Sequence, residues 1–220
     1  ESFGAVFDIA ATPNDIWFRS DASLRALYHF DTAQAASTCS RISISPSGHH
    51  IVFSCDNRII RIDVRDGSTA VLKQGGTEDA LFQSSLAWPP DGQYIAYLDR
   101  TGFEQPTRLW IMRSDGTRDR CLIGDDTGRT RVKSIRWHPS GDELFYVSGP
   151  AHGTVSVGGS LYRVDLRGHC EIVVPSSQSE RTEVCREFHV DDHAVHYRLA
   201  YFDEDYQVQR YSTRILPIER

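Results

Sequence analysis

Residues 85–97 read SLAWPPDGQYIAY, and this stretch decides the fold of the 220-residue chain. A short apolar segment ends in a Pro-x-Gly turn, and a second apolar segment begins three residues after Gly92. Proline presets the backbone φ of such a turn, and glycine accepts the positive φ that follows. The stretch therefore predicts a β-hairpin.

The same pattern occurs twice more, at residues 41–53 (RISISPSGHHIVF) and 134–146 (SIRWHPSGDELFY). The turn glycines Gly48, Gly92 and Gly141 are 44 and 49 residues apart, close to the roughly 40 to 50 residues of one β-propeller blade. Each hairpin is followed by a third apolar segment, a second glycine turn and a short fourth segment. We therefore predict an all-β fold, a β-propeller of four-stranded antiparallel blades.

Two degenerate copies of the unit flank the three clear ones, which gives five blades in a single β-propeller domain over residues 1–220. The predicted blades cover approximately residues 1–36, 37–80, 81–128, 129–180 and 181–220. Two closures fit this count: the N-terminal strand completes the last blade of a five-bladed ring, or the chain is part of a larger ring whose other blades are absent. We favour the five-bladed ring because an open ring leaves apolar blade faces in contact with solvent.

The central repeat resembles a known family. Residues 88–97 (WPPDGQYIAY) and 108–116 (RLWIMRSDG) resemble the PD40, or WD40-like, repeat of TolB-type propellers, and residues 44–72 and 137–174 match it with more drift. The resemblance implies a periplasmic scaffold that binds a protein or peptide across its loop-rich rim and the mouth of its channel. Such repeats also resemble the sensory portions of membrane-anchored regulators. TolB itself has a separate N-terminal domain and a six-bladed ring, so the resemblance extends to the repeat family alone.

Composition and charge argue against two classes of partner. The chain has 24 Lys and Arg against 30 Asp and Glu, a net charge of -6, and no long run of either sign, so we predict no nucleic-acid partner. No segment approaches the roughly 18 consecutive apolar residues of a membrane span, so we predict no membrane insertion by this chain. Because the chain begins at Glu1 without an initiator Met or a basic-then-apolar leader, we expect a processed mature protein or an excised domain.

The topology of a propeller indicates which loops share a surface. Loops that join second to third strands, and those that join successive blades, lie on one rim, while the Pro-x-Gly turns lie on the other. The variable insertions fall on the first rim, and binding residues concentrate on loops held by a rigid scaffold. We select Arg100, Phe103, His152 and Tyr206 as contacts for a protein or peptide partner; Phe103 and Tyr206 are aromatics in polar insertions, the residue type that anchors interfaces. The alternatives are that these are solvated loops and that Phe103 or Tyr206 folds back onto its own blade.

No catalytic arrangement is evident in the sequence. The nearest match to Gly-x-Ser-x-Gly, residues 154–158, lacks its first glycine. With a turn at residues 191–192, His189 lies opposite Ala194, so His189, His193 and His196 do not form a compact metal site. We therefore predict no metal and no cofactor. His138, inside a repeat turn, is expected to be an exposed polar residue.

The positions of two cysteines around the first hairpin predict a disulfide. If the first hairpin turns through residues 46–48, Ile44 pairs near His50, and Cys39 then lies beside Cys55. Paired strand positions come within the roughly 4.4 to 6.8 Å between Cα atoms that a disulfide needs. We predict a Cys39–Cys55 disulfide and hence an oxidising compartment. The alternative is a pair of half-buried, reduced thiols.

Together these observations favour a non-enzymatic, periplasmic or otherwise extracytoplasmic β-propeller that acts as a protein-binding or sensory module, such as the sensor domain of a membrane-anchored regulator. Two alternatives stay open. The chain could be a carbohydrate-active lyase or hydrolase on a propeller scaffold, or the gating propeller of a peptidase.

Overall fold

The structure is a computed structural model that describes residues 8–11, 15–20, 23–29, 42–55, 57–75, 81–100, 106–124, 130–150 and 158–218. Every regular element in these ranges is a β-strand. The eighteen strands are β1 (Asp8–Ala11), β2 (Asp15–Ser20), β3 (Ser23–His29), β4 (Ser43–Ile44), β5 (His50–Cys55), β6 (Arg58–Asp63), β7 (Thr69–Gln74), β8 (Leu81–Ala87), β9 (Tyr94–Arg100), β10 (Thr107–Arg113), β11 (Arg120–Ile123), β12 (Thr130–Trp137), β13 (Glu143–Pro150), β14 (Gly158–Asp165), β15 (Cys170–Val174), β16 (Thr182–Val190), β17 (Ala194–Phe202) and β18 (Val208–Pro217). No membrane-spanning helix is present in the described ranges.

The strands form antiparallel sheets in chain order. β1 to β3 form a three-stranded sheet, and β4 to β7 and β8 to β11 form two four-stranded sheets. β12 to β18 form one seven-stranded sheet in which β15 pairs only with β14. The predicted four-stranded antiparallel unit is therefore confirmed in the two central sheets.

The seven-stranded sheet consists of two hairpin units that touch through glycine. β14 pairs with β16 only at Gly158 and Gly159, which lie opposite Cys185 and Val184. A Cβ built on Gly158 would lie 1.6 Å from the Val184 carbonyl oxygen, so any side chain there would push the two backbones apart. The sheet thus consists of two units, β12 to β15 and β16 to β18, and the strand pairing between them is limited to two residue pairs.

The repeat turns adopt the backbone that their sequence predicts. Gly48, Gly92 and Gly141 have φ values of 70°, 66° and 81°, in the left-handed region that glycine occupies at no steric cost. The Gly48 N–H donates to the Ser45 carbonyl oxygen at 2.9 Å, and the corresponding bonds of Gly92 and Gly141 are 3.0 Å long. Each hairpin is therefore closed by the same tight turn.

The predicted register of the first hairpin is wrong by one residue. Ile44 pairs with Ile51 and not with His50. The reason is that Ser45 closes the turn: its N–H donates to the His50 carbonyl oxygen at 2.8 Å, and its hydroxyl accepts the His50 N–H at 3.0 Å. The loop therefore contains four residues instead of three.

Four of the five cysteines lie in the described part of the chain. Cys55 is buried and disulfide-bonded, whereas Cys121, Cys170 and Cys185 are free thiols. Cys39 lies outside the described residues, so its pairing with Cys55 stays a prediction.

The core lies between successive sheets. Apolar clusters join β2 and β3 to β5 and β6, the second sheet to the third, the third to β12 to β14, and β13 and β14 to β16 and β17. The first strands of successive units also touch, β8 with β12 and β12 with β16. The sheets thus stack face to face with their first strands gathered on one side, which is the packing of propeller blades.

Candidate functional site

Antiparallel strands place alternate connections at opposite ends of the sheets. We call one end the loop rim: its described residues are the strand ends at 74, 81, 100, 107, 123, 130, 150 and 158 and the connections 174–182 and 202–208. The other end, the turn rim, holds the glycine turns. The predicted partner-binding surface lies on the loop rim.

Of the four predicted contacts, only Tyr206 has a described side chain. Arg100 is the last residue of β9 and therefore lies on the loop rim, but only its backbone is described. Phe103 and His152 lie outside the described residues. Tyr206 lies in the connection between β17 and β18, with 59% of its surface exposed.

Asp203 organises the backbone that presents Tyr206. The Asp203 carboxylate accepts the N–H groups of Asp205 at 3.0 Å and Gln207 at 2.8 Å, and the Tyr206 N–H donates to the Asp203 carbonyl oxygen at 3.2 Å. Tyr206 itself has a φ of 56°. A bulky residue in this left-handed region is strained, and such strain persists where the surrounding structure holds it. The aromatic ring is therefore displayed on an ordered loop.

The connection that enters β16 supports this loop from the side. The Phe202 N–H donates to the Arg181 carbonyl oxygen at 2.9 Å, and the Arg181 guanidinium lies 3.8 Å from the Glu204 carboxylate. Arg181 also has a positive φ, of 50°. The described part of the loop rim thus contains two adjoining loops, and each has one non-glycine residue, Arg181 or Tyr206, whose backbone lies in the left-handed region.

A partly buried lysine, Lys133, also lies on this rim and is not among the predicted contacts. A β-bulge between Val132 and Ser134 leaves Lys133 out of the strand ladder. The Lys133 ammonium donates to the Gly158 carbonyl oxygen, and the Gly158 N–H donates to the Glu183 carboxylate at 2.9 Å. Burial lowers the pKa of Lys133 to about 8, although Glu183 partly offsets this effect. No signal in the sequence marks this lysine, because residues 130–137 (TRVKSIRW) mix polar and apolar side chains as a half-exposed strand does.

The turn rim contains two adjoining polar depressions. The larger, of about 380 Å³, is lined by His138, Ser140, Asp142, Glu143, Arg163, Asp192 and Ile218. The smaller, of about 230 Å³, is lined by Glu143, Arg163, Asp165, His169, Cys170 and Glu171. Arg163 lies between them, and its guanidinium is 2.7 Å from the Glu171 carboxylate and 3.6 Å from that of Glu143.

His138 is buried, which corrects the expectation of an exposed polar residue. Only 8% of its surface is exposed, because the ring packs beside Phe145 with 6.5 Å between ring centroids. Its Nδ1 lies 2.6 Å from the Ser140 hydroxyl oxygen, and that hydroxyl donates to the Asp142 carboxylate. The Nε2 atom is buried without a hydrogen-bond partner in the described structure.

The histidines of the last sheet have a different register from the predicted one. His189 pairs with His196, not with Ala194, and their ring centroids are 6.1 Å apart. The reason is that Asp191 closes a four-residue turn, in which its carboxylate accepts the N–H groups of His193 and Ala194, each at 2.8 Å. Across the described residues, no group of three or more His, Cys, Asp or Glu side chains is placed to hold a metal ion.

No protein-family model matches the chain, and no curated protein sequence matches it. Solved structures do match. A protein from Clostridium novyi NT, provisionally assigned as a conserved lipoprotein, is 17% identical, with a TM-score of 0.55 over 68% of this chain and 93% of its own. An oligogalacturonate lyase in complex with manganese is 11% identical, with a TM-score of 0.64 over 91% of this chain and 59% of the lyase. A puromycin hydrolase is 14% identical, with a TM-score of 0.61 over 97% of this chain and 36% of the hydrolase.

These similarities show the fold alone. TolB structures from Acinetobacter baumannii and Agrobacterium tumefaciens also match, but their TM-scores of 0.41 and 0.39 are too low to carry weight. The chain spans less than two thirds of the lyase and of the hydrolase. The observed architecture is all-β, with antiparallel four-stranded sheets that fit a β-propeller.

Proposed function

We propose that the chain is a non-enzymatic, extracytoplasmic β-propeller that binds a protein or peptide on its loop rim, as a binding or sensory module such as the sensor domain of a membrane-anchored regulator. Its contacts include Arg100, Phe103, His152 and Tyr206. We further propose that its five units close into one ring, with blades at the boundaries predicted from the sequence. The TolB-type repeat supports this assignment.

The main evidence for the binding role is the exposed position of the Tyr206 side chain on its loop. An exposed tyrosine on an ordered loop offers a large amphipathic contact at low cost in conformational entropy. Its φ of 56° is a strained conformation that the Asp203 hydrogen bonds maintain. The Tyr206 ring lies 6.4 Å from that of Phe202, between centroids, and most of its surface remains exposed for a partner.

An extracytoplasmic location has two supports. Cys55 is disulfide-bonded, and disulfides persist mainly in oxidising compartments. One similar structure belongs to a protein provisionally assigned as a lipoprotein. Fractionation of cells that express the full-length gene product tests this location, and recovery in the cytosol with reduced thiols would contradict it.

The binding role is tested with a phage-displayed random peptide library selected against the full chain. We expect selected peptides to lose about tenfold or more in affinity when Tyr206 or Phe103 is changed to Ala, as for an interface anchor. Tyr211→Ala is the matched control, because Tyr211 is an exposed tyrosine within strand β18 and not in a rim loop. If both rim variants bind as tightly as the wild type, the binding surface is misplaced.

A second candidate function has one observation in its favour. A lysine with a pKa of about 8, as at Lys133, is tuned toward the range of a general base. Together with the fold similarity to an oligogalacturonate lyase, this favours a carbohydrate-active lyase that removes a proton from a uronic-acid sugar. Incubation with polygalacturonate, followed by the ultraviolet absorbance of an unsaturated product, tests it. Turnover that Lys133→Met abolishes would replace the binding proposal.

A further inference from the structure

The last strand, β18, has one edge that no described strand covers, which we call the open edge. In each of the three preceding units a fourth strand pairs with the third: β7 with β6, β11 with β10 and β15 with β14. β18 is the third strand of the last unit, and within the described ranges it pairs only with β17. At ten residues it is also the longest described strand. A long unpaired edge is a place where another strand can add.

The hydrogen bonds between β17 and β18 identify the groups at the open edge. The Ile218 N–H donates to the His193 carbonyl oxygen at 2.8 Å, and the same register continues without a shift along β18 as far as Arg210. Hydrogen-bonded and non-hydrogen-bonded pairs alternate in an antiparallel ladder, so every second residue of β18 bonds to β17. The N–H and C=O groups that point to the open edge are therefore those of Tyr211, Thr213 and Ile215.

The same three residues place two large apolar side chains beside the open edge. Tyr211 and Ile215 are exposed, and both lie on the face of the sheet that points away from the fourth unit. Thr213 lies between them on the same face, because side chains in a strand alternate between faces. The open edge is thus symmetric about Thr213, with one apolar side chain on either side.

The arginines of β18 restrict how a second copy of this strand can pair with it. Two copies related by a twofold axis perpendicular to the sheet run antiparallel, with one residue on the axis facing its own copy. An axis at Arg210, Ser212 or Arg214 places an arginine directly opposite an arginine, which is destabilising. An axis at Tyr211 or Ile215, or nearer either end, leaves at least one of these two apolar residues beyond the paired segment. The remaining axis, at Thr213, avoids both faults.

We propose that two copies of this chain dimerise by pairing their β18 strands about a twofold axis at Thr213. Tyr211 of each copy then lies directly opposite Ile215 of the other, and an aromatic residue opposite a β-branched one stabilises antiparallel strands. Each arginine faces an uncharged residue of the other copy, Leu216 or Ser212. The last sheets of the two copies become one continuous sheet. This dimer does not depend on the proposed function, because the open edge belongs to a strand and not to a loop of the rim.

Sedimentation velocity of the full chain, from about 1 to about 200 µM, tests for the dimer in the range of affinity of a weak interface. We expect dimerisation that depends on concentration. Thr213→Pro should weaken it at least about tenfold, because the change removes an edge-facing N–H from each copy and leaves the ladder to β17 intact. Thr213→Val is the matched control, since it keeps the N–H and the β-branched shape, and it should dimerise like the wild type.

Two outcomes of this measurement overturn the proposal. A dimer that Thr213→Pro does not weaken has its interface elsewhere. A chain that stays monomeric throughout does not pair through β18 at all. If the unfolding free energy of that monomer is lowered by Thr213→Pro but not by Thr213→Val, a segment of the same chain occupies the open edge instead.

Cysteine cross-linking tests the register. In a background where the exposed thiols of Cys121 and Cys170 are removed by substitution with Ser, Thr213→Cys should form a covalent dimer on mild oxidation. Residues opposite each other across the axis have Cα atoms about 5.5 Å apart, within the range of a disulfide. Ile215→Cys is the matched control, because Ile215 is exposed on the same face but lies opposite Tyr211. Equal cross-linking at both positions, or none at position 213, would show that the register is wrong.

Discussion

The free energy of unfolding should depend on pH through Lys133. Burial lowers its pKa from 10.5 to about 8. Between these two values the unfolded chain holds a proton that the folded chain has released, so the free energy of unfolding rises with pH across this window. Below it, the lysine is protonated in both states, and the partly buried ammonium lowers the stability of the fold.

We predict that Lys133→Met removes this rise. The measurement is urea denaturation of both proteins at several pH values from about 7 to about 10, with midpoints compared at equal slope. The difference in unfolding free energy between variant and wild type should shrink steadily as the pH increases, because the wild type loses its buried charge. A difference that is constant with pH would show that Lys133 titrates normally.

Tyr97 joins two sheets through a polar contact inside an apolar interface. Its hydroxyl donates to the Asp119 carboxylate at 2.5 Å and lies 2.6 Å from the Lys73 ammonium, which belongs to β7 of the preceding sheet. Lys73 also lies 4.0 Å from the centroid of the Trp110 ring. Burial and the Asp119 carboxylate raise the pKa of Tyr97 far above its usual range. The hydroxyl thus stays protonated and donates at every ordinary pH.

Tyr97→Phe should therefore lower the unfolding free energy by about 1 kcal/mol or somewhat more, because the Asp119 carboxylate and the Lys73 ammonium both lose their hydrogen bond to the hydroxyl. The matched control is Tyr146→Phe in the next sheet, where the buried hydroxyl meets only the Cys170 thiol at 3.0 Å. A thiol is a weak hydrogen-bonding group, so this change should cost less. Equal losses in chemical denaturation would contradict a special role for the Lys73 contact.

Two glycines in different sheets are required for different reasons. Gly158 has little space, because an added Cβ would meet the Val184 backbone at 1.6 Å. Gly67, in the turn between β6 and β7, has open space around it but a φ of 78°. Gly67→Ala should cost about 1 to 2 kcal/mol, from the left-handed backbone alone.

Gly158→Ala should cost more, about 3 kcal/mol or above, because β14 and β16 must separate. Thermal and urea unfolding of the two variants in parallel measure the difference. Near-normal stability of Gly158→Ala would mean that the two units of the seven-stranded sheet touch more loosely than described.

The pairing of Cys39 with Cys55 depends on a bulge. An uninterrupted register from the Ile44–Ile51 pair would place Cys39 one position beyond Cys55. In the fourth repeat, however, the bulge at Lys133 shifts the register so that Val132 pairs with Ser148. These two residues occupy the repeat positions of Cys39 and Cys55, so the same bulge would restore the predicted pair.

We therefore expect non-reducing peptide mapping by mass spectrometry to recover one linked peptide pair, containing Cys39 and Cys55, with the other three cysteines alkylated. Reduction should lower stability by about 3 kcal/mol, the value for a closed loop of about 15 residues. Five alkylated thiols without reduction would contradict the disulfide.

The sequence predicted the strands and turns well because proline and glycine fix backbone conformation locally. The positive φ values of Gly48, Gly92 and Gly141 follow from residue type alone. Register was harder, because the side chains of Ser45 and Asp191 decide where a turn closes. The partial burial of Lys133 and the burial of His138 depend on a bulge and on packing between elements, so neither could be predicted from the periodicity of the sequence.

The proposed ring closure has to be made by the inner strands of the last unit. On the face of this sheet that points away from the fourth unit, Cys185, Ala200 and Phe202 on β16 and β17 are buried, whereas Tyr211 and Ile215 on β18 are 51% and 62% exposed. Blades that radiate from an axis converge at their first strands and diverge at their outer ones. The graded burial is what closure along the inner strands would produce.

Hydrogen exchange distinguishes a closed ring from an arc. In a closed ring every sheet has two neighbours, so we predict that amides of β17 and β2 exchange with opening free energies close to those of β9 in the central sheet. In an arc the end units lack one neighbour and open independently, as in stacked repeat proteins. The measurement is native-state exchange of the full chain with peptide-level mass spectrometry. Protection of β2 and β17 lower than that of β9 by several kcal/mol would favour the arc, because a unit that opens alone has no closing interface to break.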